Sequence, residues 1–143
     1  LITFQIDLRQ AGARLWLLLG EAQAKCQAIT GVPLPPDVAQ ELQKVSLVRG
    51  ARSTTAIEGN TLTEEEVRKR LDGELALPPS KAYLGQEVDN VITAFNHIAE
   101  QVQAGPRAAF CLQDIVYFNR LVLANLPLPE EVVPGQVRSY DVR

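Results

Sequence analysis

The stretch Ser53-Thr54-Thr55-Ala56-Ile57-Glu58-Gly59-Asn60 sets a hydroxyl and a carboxylate four residues apart, followed by Gly-Asn. At 3.6 residues per turn, Thr54 and Glu58 share one face of a helix. Gly59 suits the left-handed conformation that ends a helix, so Glu58 is expected in the last turn. The C-terminal end of a helix carries partial negative charge, and a base is the default there. An acid in that place calls for a partner cation beyond the helix end.

The other chemistry-bearing residues are less suggestive. His97 is the single histidine and has no nucleophile, cysteine or acid array around it in sequence, so it reads as a surface or half-buried helix residue. Cys26 and Cys111 lack metal-ligand spacing and read as buried free thiols of a cytosolic protein. Glu64-Glu65-Glu66 followed by Arg68-Lys69-Arg70 puts acids at a helix start and bases toward its end, which suits the dipole and i,i+4 pairing. Glu87 and Asp89 read as ordinary helix surface. The net charge of -3 gives no electrostatic case for nucleic acid. No segment approaches the roughly 20 apolar residues of a membrane span. The expected location is soluble and cytoplasmic, with no metal site assigned. The chain of 143 residues begins at Leu1 and contains no methionine, which reads as a piece of a longer protein.

The elements that position these residues are helical nearly throughout. The fold class is all-α, with about five helices in an orthogonal or bundle-like array and a short strand at the C-terminus. The first helix is expected from Asp7, as N-cap, to Gly31, with Leu8, Leu15, Leu18, Leu19, Ala22, Cys26 and Ile29 as its apolar stripe. Trp16 and the leucines around it read as core, with a contact face for another subunit or domain as the other reading. Val32-Pro33-Leu34-Pro35-Pro36 is a rigid connector. The second helix covers about 37–58, with Val38, Leu42, Val45, Val48 and Ala56 apolar and Gly50 admitting another helix closely. Thr63 caps a third helix through a capping box with Glu66, and Leu62 with Val67 fits the hydrophobic staple. The fourth helix runs over about 81–103, with Leu84, Val88, Val91, Ile92, Phe95, Ile98 and Val102 inward. The fifth spans about 109–125, with Leu112, Ile115, Val116, Phe118, Leu121 and Val122 inward. Pro134-Gly135 marks a turn, and 137–142 has the composition of a strand.

Three segments together resemble the N-terminal part of a Fic-domain protein, the family that includes protein adenylyltransferases. The first is the opening stretch, which matches the family's inhibitory motif: Thr54 as the hydroxyl, Glu58 as the acid, Gly59 as the follower, then Thr61-Leu62-Thr63 leading a capped helix. The second is Glu87-Val88-Asp89-Asn90-Val91-Ile92-Thr93-Ala94, similar to the Glu-x-x-Asn helix before the family's core. The third is Phe118-Asn119-Arg120-Leu121 followed by Pro134-Gly135-Gln136-Val137-Arg138, similar to the first core helix and its Pro-Gly-x-x-Arg segment. The catalytic signature His-Pro-Phe-x-x-Gly-Asn-Gly-Arg-x-x-Arg is missing: His97 is followed by Ile98, and no Gly-Asn-Gly occurs.

The resemblance implies a division into residues 1–104, a regulatory helical region whose inhibitory helix ends near 58, and 105–143, the start of a Fic core cut before the catalytic loop. The parent protein would transfer AMP from ATP and Mg²⁺ to a hydroxyl side chain of a target protein. Glu58 would hold it in check by pairing with the signature arginine that otherwise grips the ATP γ-phosphate. Arg with a carboxylate is a bidentate, charge-assisted pair, worth roughly 1.5–3 kcal/mol. That biases the active state by about ten- to a hundredfold. The implied regulatory residues are Thr54, Glu58, Gly59 and Asn60, and none here is catalytic. Thr54 bonds Glu58 or the nucleotide phosphate region, or else its own i−4 carbonyl. Asn60 contacts the same site or serves the turn. Arg138 pairs with a carboxylate or positions its turn. The partners are the remainder of the core in cis and the target protein, with self-association through uncovered apolar faces; neither nucleic acid nor membrane is expected. The chain by itself is expected to bind no cofactor and to be inactive. The alternative is a helical interaction or dimerisation module without a catalytic parent, using Trp16 and its leucines.

Overall fold

The computed structural model describes residues 7–105 and 111–138. Among them the chain is all-α: α1 (Ala13–Thr30), α2 (Pro36–Ile57), α3 (Glu64–Leu71), α4 (Ala82–Gln103) and α5 (Leu112–Val122), with short 3-10 turns at Leu8–Gln10 and Pro79–Lys81. The expected strand has no counterpart at Val137 and Arg138, and its remaining positions lie outside the described residues. The chain divides into two compact units, 1–40 and 41–143. The functional boundary expected near 104 is of another kind, and α4 and α5 pack on each other across it.

In the first unit, Asp7 caps only the 3-10 turn, accepting from the Arg9 N–H. Extended backbone at Ala11 and Gly12 separates that turn from α1, so the expected single helix is two elements. α1 then runs to Thr30, with Gly31 as its C-cap, and buries no side chain. The expectation that Trp16 and its leucines form core is not met within this unit: Trp16 is 49% exposed and Leu17 74%. The physical reason is that its apolar residues lie on several sides of one helix, and a single helix has nothing of its own to bury them against. Cys26 and Cys111 are both free, as expected, but exposed rather than buried.

The second unit is organised around the first half of α4. Leu84, Val88, Val91 and Ile92 meet Val48 and Ala51 of α2, Leu62, and Val67 of α3. Val67 and Val88 are the largest fully buried side chains. Gly50 does admit a close neighbour: a Cβ there would lie 3.0 Å from the Phe95 ring of α4. α3 is short and highly charged, and it holds because its start is fixed twice. Glu66 accepts from the Thr63 N–H at 2.8 Å while the Thr63 hydroxyl accepts from the Glu66 N–H at 3.2 Å, and Leu62 and Val67 are buried beside them. The burial stops partway along α4 and α5. Val102 is exposed, and Leu112 and Ile115, expected inward, are exposed as well. Asp114 is instead the buried residue of α5, accepting from the Cys111 N–H at 2.8 Å.

Two consequences are measurable. Leu84→Ala is expected to cost about 2–5 kcal/mol in urea unfolding, the usual cost of emptying a core site, whereas Leu17→Ala changes stability by less than about 0.5 kcal/mol. The Glu66 carboxyl is held below its usual range, first by the Thr63 N–H and then by the Thr63 hydroxyl. A carboxylate depressed by folding adds stability above its unfolded-state pKa and loses it as pH falls through the folded value. The unfolding midpoints of the native chain and Glu66→Ala should therefore differ at neutral pH and converge in acid below the ordinary carboxylate range.

Candidate functional site

α2 ends one residue before the position expected for it, at Ile57. The Gly59 N–H donates to the Ala56 carbonyl and the Asn60 N–H to the Thr55 carbonyl, both at 3.1 Å. This nested pair is a Schellman ending, with Glu58 as the cap residue and Gly59 beyond it at φ 90°. Space around Gly59 is open, so the demand for glycine is conformational and not steric.

Within this ending the side chains divide sharply. Thr54 and Glu58 are exposed, and among the described residues neither side chain has a hydrogen-bond or ion-pair partner. The direct Thr54–Glu58 bond does not form. Back-bonding belongs to the next residue: Thr55 is buried and its hydroxyl donates to the Ala51 carbonyl at 3.0 Å. Glu58 thus stands at the negative end of a helix whose last turn holds no base. Ile57 beside it is 83% exposed.

Asn60 is buried and serves the turn in full. Its Nδ2 donates to the Leu84 carbonyl at 2.9 Å and to Glu87 Oε2 at 2.7 Å, and its Oδ1 accepts from the Leu62 N–H at 3.0 Å. Glu87 is therefore not ordinary surface, and neither is Asp89. Asp89 receives the Arg70 guanidinium through Nε at 3.1 Å and Nη2 at 2.6 Å, and this raises the Arg70 pKa. The i,i+4 pairing expected along α3 survives only at Glu65–Lys69, 2.7 Å. Arg68 pairs with Glu41 and Arg70 with Asp89, because α2 and α4 offer carboxylates on either side. Asn90 completes the set: its Nδ2 donates to the carbonyls of Val122 at 3.1 Å and Ala124 at 2.7 Å, closing the end of α5.

These roles carried one signal in the sequence. Glu87 lies three residues after Leu84 and four before Val91, so it falls on the buried stripe, where an acid needs a partner. His97 behaves as expected, half-buried near Tyr117 with ring centroids 4.8 Å apart. Farther along, Pro134-Gly135 forms a turn with Gly135 at φ 75°, and the Gly135 N–H donates to Asn119 Oδ1 at 2.8 Å. Arg138 lines a shallow cleft of about 190 Å³ with Asn119, Glu131 and Gln136.

Among the described residues no three acids, histidines or cysteines converge as a metal site. No described glycine-rich loop leads into a helix as a phosphate cradle. No described helix is long and apolar enough to cross a membrane. Comparison with protein-family models, with curated proteins and with solved structures gives no match.

The unfavourable setting of Glu58 has a direct test. Glu58→Lys reverses the charge at the helix end and is expected to stabilise the chain by about 0.3–1 kcal/mol at low ionic strength. The gain should shrink with added salt, as read by urea unfolding.

Proposed function

We propose that this chain is the regulatory helical region of a Fic-type protein AMP-transferase, and that Glu58 is its inhibitory residue. The observation that carries the reading is the contrast at the end of α2. The backbone there is fixed by nested hydrogen bonds and by a buried Asn60, while the carboxylate it presents is exposed and has no partner among the described residues. A carboxylate on a fixed backbone at a negative helix end, without a partner among the described residues, is poised for a cation from elsewhere. In this reading the cation is an arginine of the remaining Fic core, and Glu58 competes there with the γ-phosphate of ATP. Thr54, exposed on the same face, borders that contact, Gly59 supplies the turn and Asn60 anchors it. The target is a protein hydroxyl.

In the protein that contains this chain and the core, Glu58→Gly is expected to raise AMP transfer to itself by about ten- to a hundredfold, from the worth of one charge-assisted pair. Incorporation of labelled AMP at an unchanged rate would refute the inhibitory role.

A second reading is favoured by the uncovered α1, where Leu15, Trp16, Leu17, Leu18 and Leu19 are all exposed. Under it the chain is a helical interaction or dimerisation module without catalysis. It predicts no response of any AMP transfer to Glu58.

A further inference from the structure

The inhibitory reading of Glu58 leaves open what sets its position, and the hydrogen bonds around Asn60 bear on it. Two residues after Glu58, one buried amide joins three parts of the chain. It reaches the Leu84 carbonyl in the first turn of α4, the Glu87 carboxylate one turn later and the Leu62 N–H ahead of α3. The Asn60 N–H also closes the Schellman ending on the Thr55 carbonyl, so the same residue ends α2 and docks it. Among these contacts Glu87 is the adjustable one: it is a half-buried side chain, whereas the others are backbone groups.

We propose that Asn60 and Glu87 form a latch that holds the α2 end on α4 and thereby positions Glu58, and that opening this latch releases the inhibition. The proposal rests on the inhibitory reading of Glu58 for its effect on activity, and on hydrogen bonds alone for the latch itself. Asn60 and Glu87 are positioning residues, acting through Glu58.

The polarity of the pair gives the variants. Glu87→Ala removes an acceptor but leaves Asn60 bonded to the Leu84 carbonyl, so the fold is retained. Glu87→Gln keeps an amide oxygen to accept from Asn60. Asn60→Asp turns the donor into an acceptor facing a carboxylate and a carbonyl, and Glu87→Gln added to it restores a donor–acceptor pair.

In the complete protein, Glu87→Ala and Asn60→Asp are expected to raise self-directed AMP transfer about tenfold, the effect of weakening one hydrogen bond of the lock's support. Glu87→Gln should stay near the native rate, and Asn60→Asp with Glu87→Gln should return toward it. In a Glu58→Gly background the same changes should be silent, because the residue they position is gone. A rise that persists in that background, or no rise when Glu58→Gly alone gives one, overturns the proposal. Should Glu58→Gly itself be silent, the inhibitory reading fails, and the latch is then judged on the 143-residue chain by amide hydrogen exchange. Faster exchange at Gly59 and Asn60 in Glu87→Ala, with native exchange in Glu87→Gln, supports the latch. Unchanged exchange in both overturns it.

Discussion

Two buried amides, Asn60 and Asn90, govern how the second unit closes. Leaving such a group without partners costs about 1–3 kcal/mol, more than a single small-domain contact returns. Each amide is therefore satisfied by backbone from another part of the chain: Asn60 by Leu84 and Leu62, Asn90 by Val122 and Ala124. Apolar packing of Leu84, Val88 and Val91 supplies attraction without direction. The amides supply the direction, because α5 and the α2–α3 connector meet them only in one register.

The same logic separates the charges that hold the fold from the one that does not. Arg70 with Asp89 ties α3 to α4, while Arg68 with Glu41 and Lys44 with Asp72 tie α3 and its C-terminal cap to α2. All are partly exposed and each is individually modest. Glu58 is different in kind. It sits where backbone order is high and charge is unfavourable, and neighbouring helices offer it no described partner. That contrast, an unfavourable side chain on a firmly held backbone, is the feature on which the proposed inhibitory role rests.

Much of this was legible in the residues. Caps and turns are local chemistry, and Thr63 with Glu66, Gly59, and Pro134-Gly135 appear where the sequence puts them. The α4 stripe was legible as far as Phe95 for the same reason. Long-range pairing was not: Glu87 finds its donor 27 residues away and Arg70 its carboxylate 19 away, and helical periodicity carries no information about either. Periodicity did contain the choice between the adjacent threonines, since Val48, Ala51 and Thr55 follow a 3.6-residue spacing and leave Thr54 outside. The lack of cover for α1 within its own unit is the largest surprise. Apolar composition states that a helix needs cover and does not state where the cover comes from.

In the inhibitory role proposed for Glu58, its placement also bears on how strongly the contact can close. A carboxylate at a helix C-terminus is destabilised by about 0.3–1 kcal/mol while unpaired. Pairing with a guanidinium removes that penalty in the same step that forms the bond. The net preference for the paired state thus exceeds what the same pair would give from a neutral site. The ordering cost is also lowered, because the Schellman ending and Asn60 have already fixed the backbone. A lock built this way needs no extensive interface. One residue suffices, provided that the helix end beneath it stays in place.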